Sequence, residues 1–188
     1  MPKKKQPESI YQFKVTLKRI KPPIWRRIQV PDGISLYKLH KILQIVMGWF
    51  DIHLHQFTIR GEYYGLPDPD FDFDFEVKNE KRVKLNQIVS GVGEKFMYEY
   101  DFGDDWEHTI LLEKILPPEK GVHYPICIKG KRACPPEDCG GVWGYYELLE
   151  AIQNPDHPRH QEMRDWLGRD FDPEEFDIEA VNKALRHI

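Results

Sequence analysis

Nowhere in the 188 residues is there an apolar run long enough to cross a bilayer, so a membrane partner is not expected. The start, MPKKKQPES, carries charge with no apolar stretch behind it, which excludes a secretory signal there and predicts a cytoplasmic protein. Cysteine is scarce. Cys127, Cys134 and Cys139 are odd in number and close together, which argues against a disulfide framework and leaves free thiols or a metal site. A basic excess is missing too: 27 Lys and Arg stand against 31 Asp and Glu, for a net charge of -4, whereas a dedicated duplex binder presents a basic face. Nucleic acid is therefore disfavoured as a partner. The chain also lacks a phosphate loop, a dinucleotide fingerprint, a Ser-His-Asp nucleophile pattern, and any repeat or low-complexity tract.

What remains is an aromatic-rich chain long enough for one well-filled core. Residues 1–8 form a basic tail around Lys3, Lys4 and Lys5, and 9–188 are expected to form a single domain. Tyr11, Phe13, Val15 and Leu17 alternate with polar residues, as do residues 24–29, which predicts a hairpin broken at Pro22 and Pro23. Ser35 is placed to cap a helix over 35–48 whose Leu36, Leu39, His40, Leu43, Val46 and Met47 share one face. A strand over 53–61 would put His53, His55, Phe57 and Ile59 on one side, with EYYG turning out of it. Asp70, Asp72, Asp74 and Glu76 alternate with Phe71, Phe73 and Phe75, giving an acidic and an aromatic edge if extended.

A short helix is predicted in RVKLNQIVSGVGE, ending near Gly91 or Gly93. KFMYEYDF and WEHTILLEKIL then form a hairpin across GDD, with Phe102 opposite Trp106, Tyr100 opposite His108 and Asp101 opposite Glu107. Residues 117–141 read as a long ordered loop, and three helices close the chain. The fold class is α+β: an antiparallel sheet of hairpins, one early packed helix and a C-terminal group of helices.

The stretches YEYDFGDDWEH, RACPPEDCGGVWGYYELLEAI and DFDPEEFDIEAVNKAL, with PPIWRRIQVP near the start, resemble the plasmid pRiA ORF-three-like family, which is functionally uncharacterised. The likeness runs from about residue 9 onward. It implies that Tyr100, Asp101, Phe102, Gly103, Asp104, Trp106 and His108, with Pro135, Pro136, Glu137, Asp138, Gly140 and Gly141, belong to the family signature. It also implies an association with plasmid or mobile-element functions.

Each motif admits a structural and a chemical reading. Gly103 taking positive φ, and Asp104 and Asp105 bonding their own backbone, would account for the hairpin tip as a turn. The same tip offers Asp101, Asp104, Asp105 and His108, three carboxylates and an imidazole, to a divalent ion, and Asp104, Asp105 and His108, with Glu137, are candidate catalytic groups of a metal-dependent hydrolase or nuclease. His123, Cys127, Cys134 and Cys139 offer a zinc clamp for the long loop, with His53 or His55 as an alternative fourth ligand, although no CxxC knuckle is present. Glu137 and Asp138 before the third-to-last helix argue against a phosphate there and for a helix-start cap or a basic partner. The favoured expectation is a non-enzymatic binding or regulatory module with a protein partner, its surface shaped by Tyr100, Asp101, Gly103, Asp104, Trp106, Glu137, Asp138, Gly140 and Gly141.

Overall fold

The computed structural model describes residues 9–67 and 76–188. The basic tail and most of the acidic and aromatic alternation at 70–76 lie outside them. The strands are β1 (Ile10–Leu17), β2 (Trp25–Pro31), β3 (His55–Ile59), β4 (Glu62–Gly65), β5 (Val77–Asn79), β6 (Lys95–Tyr100), β7 (Trp106–Leu116) and β8 (Ile126–Lys131). They make one sheet in the order β5-β4-β3-β6-β7-β1-β2-β8, antiparallel except for the β4–β5 pair. The helices are α1 (Leu36–Met47), α2 (Leu85–Ile88), α3 (Gly141–Gln153), α4 (His160–Leu167) and α5 (Ile178–Leu185). The protein is thus α+β.

The first hairpin and the first helix form as their patterns dictate. β1 lies between β2 and β7, so Phe13 and Val15 are buried from both sides of the strand. Ser35 caps α1 by accepting from the Lys38 amide, and Gly48 ends it at φ +87, a conformation glycine reaches without a Cβ clash. The α1 face carrying Leu36, Leu39, Leu43, Val46 and Met47 is buried in the same core as the sheet. Buried Arg26 donates to the carbonyls of Trp25, Val46 and Lys131, so its guanidinium satisfies a carbonyl in the last turn of α1. The Asn182 side chain makes two bonds to the backbone of Cys127, fixing α5 against β8.

Four expectations are corrected. EYYG is a strand, β4, rather than a turn, because its Tyr63 and Tyr64 pair with Thr58 and Phe57. The loop over 117–141 contains β8, which pairs with β2 along Ile126–Lys131 and supplies the backbone bonds the stretch needed. α2 stops at Ile88, before either glycine. The β6–β7 register is shifted by two residues, with a tip two residues longer than predicted: Tyr100 faces Trp106, Tyr98 faces His108, and Glu99 rather than Asp101 faces Glu107. A shift of two keeps every side chain on its face, so the buried aromatic row survives the error.

Candidate functional site

The shifted register leaves five residues, 101–105, at the tip of the β6–β7 hairpin instead of three. The turn is made differently from the glycine-centred one expected. Asp101 and Asp105 take positive φ, 59° and 53°, and Asp101 Oδ1 accepts from the amides of Gly103 and Asp104. Asp101 is thereby buried, with its second oxygen free to face outward from the turn.

The tip meets the CPPEDCGG loop. Asp104 Oδ2 accepts from the Gly140 amide at 3.2 Å, at the start of α3. Gly141, at φ +66, packs so closely that a Cβ there would lie 2.7 Å from the Asp104 carbonyl oxygen. Glu137 Oε1 accepts from the Tyr100 hydroxyl at 3.0 Å and from the Phe50 amide at 2.8 Å. Burial, and next to it the Glu137 carboxylate, raise Tyr100, so its hydroxyl keeps the proton it donates.

Phe50 belongs to a third piece, the segment 49–54 between α1 and β3. Three backbone bonds hold it to signature residues: Phe50 N to Glu137, Ile52 N to the Tyr100 hydroxyl, and Leu54 O from Asp101 N. Its side chains alternate. Trp49, Asp51 and His53 turn inward, whereas Phe50, Ile52 and Leu54 are 75%, 61% and 43% exposed. The polarity is inverted from that of an ordinary half-buried strand.

Two clusters of histidine and carboxylate result. In the first, His53 Nε2 lies 3.0 Å from Asp138 Oδ1, 3.5 Å from Asp101 Oδ2 and 3.9 Å from Glu137 Oε2. The 3.0 Å approach is close but not aligned as a hydrogen bond, so His53 Nε2 and Glu137 Oε2 are both shut off from water without a hydrogen-bond partner. In the second, the rings of His40 and His55 stack at 3.4 Å, within 3° of parallel. His55 Nε2 meets both oxygens of fully buried Glu80 at 3.0 Å. His40 lies between the Tyr98 hydroxyl at 2.8 Å and Asp51 at 2.7 Å, and Lys41 closes on Asp51. Burial, then the neighbouring His55, pull His40 down to about 3, so it is neutral and donates Nε2–H to Asp51. A cavity of about 320 Å³ opens between the clusters, lined by Tyr37, His40, His53 and His55 and by the apolar Leu66 and Phe102.

The family model described as plasmid pRiA4b ORF-3-like protein matches residues 9–180. The chain belongs to this family. It is 41% identical over 179 residues to the uncharacterized protein y4hQ of Sinorhizobium fredii, covering 94% of this chain and 91% of that one. It is also similar to the crystal structure of MM3350 from Methanosarcina mazei Go1, a protein of unknown function. The TM-score there is 0.85 at 43% identity, over 93% of this chain and 98% of that one.

In this pRiA4b ORF-3-like chain the residues singled out from sequence go to different places. Asp101, Glu137 and Asp138 converge on His53, and Tyr100, Asp104, Gly140 and Gly141 build the junction beneath them. Asp105 is exposed at the tip. His108 is buried under Trp49, with Nδ1 on the Tyr98 carbonyl. Asp104, Asp105 and His108 are therefore not gathered around Glu137 as the hydrolase reading drew them.

Among the described residues, the groups of ligand atoms that fall within 4.8 Å of one another are His53 with Asp101 and Asp138, and His40 with Asp51 and His55; neither contains a cysteine. Cys127 Sγ turns to the Lys129 carbonyl and Cys134 Sγ to Met47, while His123 is exposed. Burial pushes Cys134 up to about 11 and, with nearby Asp104, Cys139 up to about 12, so both thiols keep their protons. Glu137 and Asp138 do not cap α3; the carboxylate at its start is Asp104. The site residue missed as a centre is His53. The signal was the alternation in WFDIHLH, which puts Asp51, His53 and His55 on one side and three large apolar residues on the other.

Proposed function

We propose that this protein is a binding module that recognises a protein segment through the ridge formed by Phe50, Ile52 and Leu54. The observation that carries this reading is the fixed display of three large apolar side chains to water. Leaving such groups exposed forgoes about 1.5–3 kcal/mol of burial each. A mobile loop would soften that cost, but this segment is tied down by Glu137, Tyr100 and Asp101. Exposed apolar groups held on rigid backbone are the usual form of an interaction surface.

The surroundings set the partner's chemistry. Asp105 and Asp138 stand exposed on the two loops the ridge is tied to, and the chain as a whole is acidic. A segment presenting apolar side chains beside Lys or Arg is complementary to both features. The test is selection of peptides from a random display library on the wild-type protein, followed by affinity measurement on wild type and on a variant with Phe50, Ile52 and Leu54 all changed to Ser. Apolar and basic peptides that lose tenfold or more on the variant support the reading. Peptides that bind both proteins equally, or a library that yields none, overturn it.

A further inference from the structure

The first histidine cluster has a chemistry that the docking ridge does not need. We infer that His53, Asp101, Glu137 and Asp138 form a binding site for one first-row divalent cation of the Mn²⁺, Fe²⁺ or Zn²⁺ type. Distance is the first argument. Two donors about 2.1 Å from a common ion, at tetrahedral or octahedral angles, lie roughly 3.0–3.5 Å from each other. The Asp138 and Asp101 oxygens stand 3.0 and 3.5 Å from His53 Nε2, which is that spacing, and these three residues have ligand atoms within 4.8 Å of one another; Glu137 Oε2, 3.9 Å from His53 Nε2, stands just outside that group and would close in on the ion.

The second argument is independent of the grouping. The Glu137 side chain is only 9% exposed, and its Oε2 has no hydrogen-bond partner although it points at His53. His53 Nε2 is equally cut off. A buried acceptor with no donor costs about 1–3 kcal/mol, and more when it is charged. No Lys or Arg side chain pairs with Asp101, Glu137 or Asp138 among the described residues, so beyond neutral hydrogen-bond donors only the His53 imidazole stands against these acidic groups there. A divalent ion would satisfy the two orphaned atoms and offset the gathered charge at once. One imidazole with carboxylates suits a borderline first-row ion better than Mg²⁺ or Ca²⁺, which take oxygen alone.

The second cluster shows what a filled set looks like. Lone pairs of imidazole lie in the ring plane, so two rings stacked 3° from parallel cannot both aim at one ion. His40 has a partner on each nitrogen, and His55 Nε2 faces Glu80. An ion there would have to break bonds that already exist. In the first cluster it would complete bonds that are missing. Its ligands come from all three pieces of the junction, so the ion would also tie the hairpin tip and the 132–140 loop to the ridge-bearing segment.

The test is titration calorimetry of the full, untagged chain, stripped with a chelator, against ZnCl₂ and MnCl₂. Wild type is compared with Asp138→Asn, Glu137→Gln, Asp51→Asn and Cys134→Ser, and thermal melting checks that each variant is folded. Asp138 is 62% exposed, so its substitution reports on ligation without disturbing the core. The expected result is one ion per chain, bound at least about tenfold more weakly by Asp138→Asn and Glu137→Gln and unchanged in the other two. Absence of binding by either salt, or binding that survives Asp138→Asn or Glu137→Gln, overturns the site. Loss confined to Asp51→Asn or Cys134→Ser would also overturn it, by moving the ion to the stacked pair or the cysteine loop.

Discussion

His53 and His55 are two residues apart, yet their surroundings are opposite in kind. Around His55 the charged and polar groups are paired off: His55 Nε2 with Glu80, and the stacked His40 with Tyr98 and Asp51, which Lys41 closes on. Around His53 three carboxylates crowd one nitrogen and two atoms are left unpaired. The first arrangement is finished within the chain and works as structure. The second is incomplete, and incompleteness in a buried polar cluster is what separates a site from a scaffold. This comparison yields different consequences for the same kind of substitution on its two sides.

The largest effect belongs to the finished cluster. Removing Glu80 in Glu80→Ala leaves His55 buried without its partner and opens a cavity, and breaking a buried pair of this kind costs about 3–5 kcal/mol. Urea unfolding at neutral pH measures it. A loss under 1 kcal/mol would mean that water replaces the carboxylate and that the stack is no scaffold.

A third histidine sharpens the point that an unpaired atom alone does not make a site. His108 Nε2 also lacks a partner, but its neighbours are Trp49 and Tyr98 rather than carboxylates. Burial lowers His108 to about 4. Unfolded, the same imidazole titrates near 6.5. The folded core holds the neutral form, so the full contribution is present above pH 6.5. As the pH falls from about 6.5 to about 4 the unfolded chain takes up a proton that the folded chain refuses, and about 3 kcal/mol of stability is lost. His108→Leu should remove that part of the decline, seen as a smaller drop in urea midpoint between pH 7.5 and 4.5 than in wild type.

The junction that brings the carboxylates to His53 has its own weak point. Gly141→Ala would place a side chain at φ +66 and force its Cβ to within 2.7 Å of the Asp104 carbonyl oxygen. Strain of this type costs about 1–3 kcal/mol. Thermal melting gives the cost, and the change should leave the Glu80–His55 cluster undisturbed, as the histidine ring signals in NMR would report.

The strands β1, β2, β6 and β7, α1 and the closing helices were legible because each rests on local periodicity and caps, such as the alternation of β1 and Ser35 before Leu36. The β6–β7 register was not. A slip of two residues preserves the face pattern, and the choice was made by Asp101 taking positive φ and capping its own turn, which the sequence allows but does not dictate. β8 escaped notice because ICIKGK alternates poorly and gains its stability from pairing with β2. Asp101, Glu137 and Asp138 stand out in the sequence through the acidic clustering of their two loops as well as the family likeness. Their convergence on His53 depends on the contact between two loops more than 30 residues apart and a third segment some 50 residues earlier, which local pattern cannot report.

The smallest expected effect is the one that separates the two clusters most cleanly. In Glu137→Gln the amide oxygen can still accept from the Phe50 amide and the Tyr100 hydroxyl, so the bonds that hold the ridge remain. What disappears is a carboxylate that no Lys or Arg pairs with among the described residues, and its removal can even relieve the crowding at His53. In a chelator, the stability of Glu137→Gln should therefore stay within about 1 kcal/mol of wild type, against the several lost in Glu80→Ala. A destabilisation of Glu137→Gln matching that of Glu80→Ala would show that the Glu137 charge is already balanced inside the chain. The two histidine clusters would then be scaffolds of one kind.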